Sequence, residues 1–204
     1  MPKITEIEEI KKYYYKIYAD GGFLFCLYKS DISKLKIKLD LVISEYEIES
    51  IKNEIVYKRA RERALYLIEK KEKTENELRN KLKDGFYTDD IIDKVIEMLK
   101  SYGYIDDFDY AIRYIKYKSE SKSIKAIKND LYLKKIDKDI IDRAVDELQC
   151  DERNLIFKLI EKKYKNIDLT NYQNKSKAIR YLMSKGFNYD DITSEIESYI
   201  NINS

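Results

Sequence analysis

Three pairs of adjacent aspartates, Asp89-Asp90, Asp106-Asp107 and Asp190-Asp191, are the residues whose type and spacing could hold a divalent cation for nuclease-like chemistry. Magnesium accepts such oxygen ligands, but a working site needs them to converge. Each pair instead stands where an apolar helical pattern begins, and carboxylates there offset the helix dipole and satisfy free amides. Capping is the expected role. The chain has 204 residues and no histidine, which removes the commonest neutral-pH acid and base and the commonest metal ligand. Cys26 and Cys150 lie far apart without CxxC spacing, so they make no zinc site and are expected to be reduced thiols. Neither a Gly-x-x-x-x-Gly-Lys-Ser/Thr loop nor a GxGxxG turn is present to cradle a nucleotide. The expectation is a binding protein with no catalytic residue, cofactor or metal.

Cations supply the positive signal. Lys116, Lys118, Lys122, Lys125, Lys128, Lys134 and Lys135 face only Glu120 and Asp130 over that stretch, with Tyr114, Tyr117 and Tyr132 interleaved. Within the helix expected there, Ile124, Ile127 and Leu131 take the buried face, which leaves Lys122, Lys125, Lys128 and Tyr132 outward. Two readings stand: a solvated face in a Lys-rich sequence, or a surface that meets phosphates. Lys58, Arg59, Arg61 and Arg63 form a second cluster, diluted downstream by glutamates. A third comprises Lys158, Lys162, Lys163 and Lys165 beside Tyr164.

These groups must be positioned by a chain that is 38% charged, with a formal net charge of only +2. So high a charged fraction leaves much of the molecule as surface and suits an extended array of thin layers. The total charge does not reveal a nucleic-acid partner; its distribution has to. No apolar run is long enough to cross a membrane and no signal peptide is visible, so a cytoplasmic protein is expected.

Residues 1–56 read as an N-terminal extension. Tyr13 to Ala19 and Phe23 to Tyr28 are aromatic and β-branched runs joined by Asp20-Gly21-Gly22, a hairpin signal, and Ile4 to Ile10 could add a third strand. A helix interrupted at Gly21 is the competing reading. Ser30 or Asp31 can cap a short helix, and Ser44-x-x-Glu47 is a capping box for a longer one carrying Ile48, Ile51 and Ile55. From there the pattern is helical and repeats. Thr74-x-x-Glu77 caps a helix with Leu78 and Leu82 that ends at Gly85, and the next carries Ile91, Ile92, Val95, Ile96 and Leu99 before Gly103. Gly85-Phe86 is followed at offsets six and ten by Ile91 and Val95. Lys135-Ile136 is followed at those offsets by Ile141 and Val145, and Gly186-Phe187 by Ile192 and Ile196. The anchors 85, 135 and 186 give a period near 50 residues. The fold expected is mostly α, tandem three-helix repeats in an elongated array: repeat 1 over 57–118, repeat 2 over 119–150 sharing the helix at 107–118, and repeat 3 over 151–204.

Taken together, these residues resemble the RecX family, bacterial regulators of the RecA recombinase. The resemblance is carried by Ala64-Leu65-Tyr66-Leu67, Thr74-x-x-Glu77-Leu78, Lys81-Leu82, Gly85-Phe86, and Tyr102-Gly103-Tyr104-Ile105-Asp106-Asp107 leading into Tyr110-Ala111. Ile127-x-x-Asp130-Leu131-x-x-Lys134-Lys135-Ile136 resembles the family's middle repeat, and Lys177-Ala178-x-x-Tyr181-Leu182-x-x-Lys185-Gly186-Phe187 the last. The resemblance implies a curved helical body lying in the groove of a RecA–DNA filament, where it inhibits strand exchange and ATP turnover. It makes RecA the partner, with single-stranded or duplex DNA bound weakly by a monomer; the candidate contacts, read from the basic clusters, are Lys116, Lys118, Lys122, Lys125, Lys128, Tyr132, Lys134, Lys135, Lys158, Lys162 and Lys163. Departures are Lys135 where the family usually has Gly, Ser119 to Ser123 in place of a Gly-bearing loop, and one residue fewer between Leu82 and Gly85. Lys135 must then adopt a left-handed cap at a cost of about 1 kcal/mol relative to Gly.

Overall fold

The computed structural model describes residues 1–203. It opens with a three-stranded antiparallel sheet, β1 (Ile4–Lys11), β2 (Tyr14–Ala19) and β3 (Gly22–Tyr28), in the order β1-β2-β3. The third strand that Ile4 to Ile10 offered is therefore present, one residue longer, as β1. Asp20 (φ 50°) and Gly21 (φ 78°) make the β2–β3 turn, both left-handed as the twist of a tight hairpin demands. The Asp20 carboxylate accepts from the Lys3 N–H (3.1 Å) and the Thr5 hydroxyl from the Gly21 N–H (3.2 Å). One sheet face buries Ile4, Ile17, Phe25 and Leu27.

Helix α1 (Lys29–Lys34) starts one residue before the caps expected from the sequence. Asp31 lies in its first turn, accepts from the Tyr28 N–H (3.3 Å) and pairs with Arg59. Ser44 and Glu47 form their capping box at the start of α2 (Glu45–Ile51). A π-helical turn, Lys52–Val56, joins α2 to α3 (Tyr57–Lys70) without a break. It has a sequence cause. The buried residues run Ile48, Ile51, Val56, Ala60, Ala64, and the step of five between Ile51 and Val56 exceeds what an α-helical stripe accommodates, so one extra residue bulges out.

Next come α4 (Glu75–Lys83), α5 (Asp89–Ser101), α6 (Asp107–Lys118), α7 (Ile124–Leu133), α8 (Lys138–Leu148), α9 (Glu152–Tyr164), α10 (Tyr172–Ser184) and α11 (Tyr189–Asn203). The chain divides into two compact units, Met1–Asp106 and a second beginning at Asp107. In the first, the sheet and α1 to α5 share one core. The second holds two cores. Tyr110, Ala111 and Ile115 of α6 pack with α7 and α8, and Ile156 and Ile160 of α9 pack with α10 and α11. In each of three blocks a leading helix thus lies against a helical pair.

Each pair closes by the same turn. The sequence pattern puts Gly85 in register with Lys135 and Gly186, and the backbone corrects this: the left-handed residue of the first pair is Phe86 (φ 64°), matching Lys135 (φ 62°) and Gly186 (φ 91°). The following residue, Tyr87, Ile136 or Phe187, donates its N–H to Leu82, Leu131 or Leu182, at 3.3, 3.3 and 3.4 Å. The missing residue before Gly85 is thereby explained. Counted from Phe86, Ile92 and Ile96 fall at offsets six and ten, as Ile141 with Val145 and Ile192 with Ile196 do from their own anchors. Gly186 is doubly constrained, because a Cβ there would meet Ser123 Oγ at 2.6 Å and Ala126 Cβ at 2.7 Å.

Two unfolding measurements test this turn. Lys135→Gly is expected to stabilise the chain by about 1 kcal/mol by relieving the left-handed conformation. Gly186→Ala is expected to destabilise it by about 2–3 kcal/mol, since the new methyl adds overpacking to backbone strain. Denaturant titrations of both variants check the opposite signs.

Candidate functional site

Two clefts in the second unit gather five of the lysines singled out in the sequence, Lys122, Lys125, Lys128, Lys158 and Lys162. Helix α7 lies between them, and the way its N-terminus is held creates both. Buried Ser123 caps the helix by accepting from the Ala126 N–H (3.2 Å), and its own N–H donates to the Lys185 carbonyl in the α10–α11 turn (3.0 Å). The Ile124 N–H donates to the Glu152 carboxylate, which places an acid from α9 on the positive end of α7. Middle and last blocks therefore meet around one helix start.

The first cleft, about 370 Å³, lies between the α6–α7 loop and α9, with Lys122, Lys158 and Lys162 on its walls beside Glu120, Asp151 and Glu152. Its formal charges balance. The second, about 870 Å³, runs along α7 toward the α10–α11 turn and carries Lys125, Lys128 and Tyr132, with Met183 and Phe187 opposite. Tyr132 and Met183 are exposed there, so this cleft offers cations beside apolar surface.

The structure engages two lysines that helical periodicity alone leaves outward. Lys122 Nζ lies 2.6 Å from Asp130, and Lys128 Nζ lies 2.6 Å from Asp142 on α8. Burial works to raise the Asp130 carboxyl, but hydrogen bonds from Lys122 and the Tyr114 hydroxyl (3.0 Å) hold it below the usual carboxylate range. Burial, reinforced by Asp130, pushes the Tyr114 hydroxyl up to about 12. Lys118 reaches over the Tyr117 ring (4.8 Å), Lys134 over Tyr110 (5.5 Å) and Lys163 over Tyr181 (3.4 Å). Lys116 on the last turn of α6, Lys125 on α7 and Lys135 in the turn are exposed. Lys116, Lys118, Lys134, Lys135 and Lys163 line neither cleft.

Asp89-Asp90 and Asp190-Asp191 lie in the first turns of α5 and α11, and Asp106-Asp107 straddles the start of α6. Asp89 meets Lys83 at 2.9 Å, Asp90 meets Lys52 at 3.1 Å and Asp191 meets Arg153 at 3.5 Å. No cluster of His, Cys, Asp or Glu able to hold a metal occurs among the described residues. Cys26 is buried and Cys150 half-buried, both free. Burial pushes the Cys26 thiol up to about 11. No helix among the described residues is long and apolar enough to cross a membrane.

Sequence reasoning missed one surface in the first unit. Lys11 and Lys12 at the end of β1 come together with Arg63 of α3 and Lys81 of α4 around Tyr14, Tyr28 and Tyr87. No local run signals it, because its members come from separate elements. The nearest hint is the dilute cluster containing Arg59 and Arg63.

A three-stranded sheet followed by three blocks, each a leading helix against a capped helical pair, defines a tandem three-helix-domain protein whose clefts are lined by lysine and tyrosine. Models for the first and third three-helix domains of RecX match residues 60–99 and 151–194, which are α3 to α5 and α9 to α11. The chain is 36% identical over 202 residues to the regulatory protein RecX of Clostridium beijerinckii, covering 96% of this chain and 94% of the relative. It is 35% identical to that of Clostridium perfringens (strain SM101 / Type A), covering 98% of each. A crystal structure of regulatory protein RecX superposes with a TM-score of 0.60 at 23% identity, covering 98% of this chain and 99% of the other. RecX from Lactobacillus salivarius gives 0.60 at 28% identity, covering 70% and 96%. The chain belongs to the RecX family of regulatory proteins.

The Lys122–Asp130–Tyr114 group predicts a pH signature. Because the folded Asp130 carboxyl lies below its unfolded value, its stabilisation is present above the ordinary carboxylate range and lost as pH falls through the lowered value. Asp130→Asn is expected to cost about 1 kcal/mol at neutral pH. The gap should close below about pH 4. Urea titrations of both proteins across that range check it.

Proposed function

We propose that the protein regulates homologous recombination and the SOS response by binding RecA or RecA–DNA filaments and inhibiting recombinase and ATPase activity, with no catalytic chemistry of its own. The observation that carries this reading is family membership over nearly the whole chain, at 36% identity across 96% of it. RecA as the partner comes from the family resemblance carried by Thr74-x-x-Glu77, Tyr102-Gly103-Tyr104 and Gly186-Phe187. The protein acts as a cytoplasmic monomer, with the three helical blocks laid along the filament groove.

Lys125, Lys158 and Lys162, exposed along the two clefts, supply the contacts to filament-bound phosphates or acidic recombinase surface, and Tyr132 packs or stacks beside them. Lys122 and Lys128 are secondary contacts, because each already neutralises a carboxylate of its own fold. A second reading, direct action on DNA, draws support from exposed Tyr117 beside Lys116 and Lys118.

Substoichiometric protein is expected to suppress the ATPase and strand-exchange activities of the cognate RecA. The variant K125E/K158E/K162E is expected to keep its fold and to need about tenfold more protein for half-inhibition, the equivalent of about 1.4 kcal/mol of lost contact. Full inhibition by the folded triple variant would remove these residues from the contact. If bare single strands are bound as tightly as filaments, direct action on DNA replaces filament recognition.

A further inference from the structure

The two hairpin turns of the sheet obey different rules. The β2–β3 turn uses Asp20-Gly21, residues that accept left-handed backbone easily. Lys12-Tyr13 makes the β1–β2 turn, and Tyr13, a bulky aromatic, sits at φ 66°. Large side chains rarely occupy that region, and when they do the surrounding structure must hold them there. Here the Tyr13 N–H donates to the Glu9 carboxylate (3.0 Å), and the Tyr13 carbonyl accepts from the Lys29 N–H (2.9 Å). The outcome is an exposed ring beside a cation, with Lys12 Nζ 5.2 Å and Lys29 Nζ 5.9 Å from the Tyr13 centroid.

Lys12 of that turn is one wall of a concavity of about 450 Å³, whose other walls include Lys11, Tyr28, Arg63, Lys81, Asp84 and Tyr87. The Tyr14 hydroxyl donates to the Gly85 carbonyl (3.2 Å), which ties the sheet to the α4–α5 turn and fixes the floor. Tyr28 packs tilted against Tyr14 with ring centroids 4.7 Å apart and is covered by the Arg59 guanidinium at 4.6 Å, yet its edge remains exposed. Acids around this surface are already committed. Glu9 holds the Tyr13 amide, Asp31 holds Arg59, and Asp84 holds Lys81 at 3.2 Å. Glu8 takes the Tyr18 hydroxyl (3.1 Å) and Lys16 (3.8 Å). Lys11, Lys12, Lys29 and Arg63 have no carboxylate within ion-pair distance among the described residues. Burial raises the hydroxyl of half-buried Tyr87 above the usual phenol range, while Arg59 and Arg63 act against that rise, so their positive field reaches the floor.

We propose that this concavity and the adjoining Lys12-Tyr13 turn bind single-stranded nucleic acid, with phosphates held by Lys11, Lys12 and Arg63 and a base stacked on the exposed ring of Tyr13. Unpaired cations interleaved with exposed tyrosine faces provide both halves of that recognition, whereas an acidic peptide would use the cations and leave the rings idle. The strained turn is then explained as the element that presents ring and cation together.

The test is fluorescence anisotropy of a fluorescein-labelled oligothymidylate with the full chain. No recombinase is present, so its result is separate from that of the filament-inhibition assay. Lys12→Glu/Arg63→Glu is expected to weaken binding at least tenfold, and Lys12→Gln/Arg63→Gln to lower the slope of log K against log salt by about 0.7 for each contact removed. Tyr13→Gly is expected to raise the melting temperature while weakening binding several-fold, a divergence that a purely structural tyrosine would not produce. The proposal is overturned if the wild type does not bind the oligonucleotide, or if the folded Gln variant binds with unchanged affinity and salt slope. Binding of polyglutamate as tightly as the oligonucleotide would also overturn it and assign the surface to an acidic protein segment.

Discussion

The backbone turn that closes each helical pair is the constraint on which the helical blocks depend. Four residues after a buried leucine the chain must enter the left-handed region, and the residue after that returns its N–H to the leucine carbonyl. This fixes where the second helix starts, at Thr88, Asp137 and Asn188, and so which of its residues reach the core. The three positions tolerate different side chains because their surroundings differ. Gly186 is pressed against Ser123 and Ala126 and has room for nothing larger, whereas Lys135 points to solvent and keeps only the backbone cost. Through Gly186 the same turn locates the start of α7 and thereby the clefts on either side of it.

Much of this was legible in the chain. Ser44-x-x-Glu47 and Thr74-x-x-Glu77 form the capping boxes their spacing announces, and Asp20-Gly21 makes the hairpin turn. The apolar stripes name the buried faces because period and burial are the same fact seen twice. The register of the first turn was not legible: Gly85 is the natural candidate for a left-handed residue, yet backbone hydrogen bonding assigns that role to Phe86. A glycine permits the conformation without requiring it. Charge was harder still. The basic excess between Lys116 and Lys135 is counted along the chain, but Asp142 and Glu152 arrive from other helices and take up Lys128 and the α7 N-terminus. Such pairings are set by tertiary contact and leave no local mark in the sequence.

Lysine and tyrosine are used here in two distinct ways. Where lysine meets a carboxylate beside a half-buried tyrosine, as with Lys122, Asp130 and Tyr114, the group secures the fold. Where lysine lies over an exposed ring, as with Lys118 on Tyr117 and Lys12 on Tyr13, the ring remains presented to solvent with a cation beside it. That separation, invisible in a composition of 20 tyrosines and 40 basic residues, divides structural charge from charge that is open to a partner.

The π-helical turn at Lys52–Val56 acts as a phase setter. One residue turns a helix by about 100°. The single extra residue between Ile51 and Val56 therefore decides the azimuth of everything beyond it on α3, including Arg59, which reaches Asp31 and Tyr28, and Arg63 on the wall of the sheet's concavity. Excising one residue there would leave helix and sheet individually sound but rotate the guanidiniums off the strands. The rod behaves as a keyed shaft, and the bulge is its key.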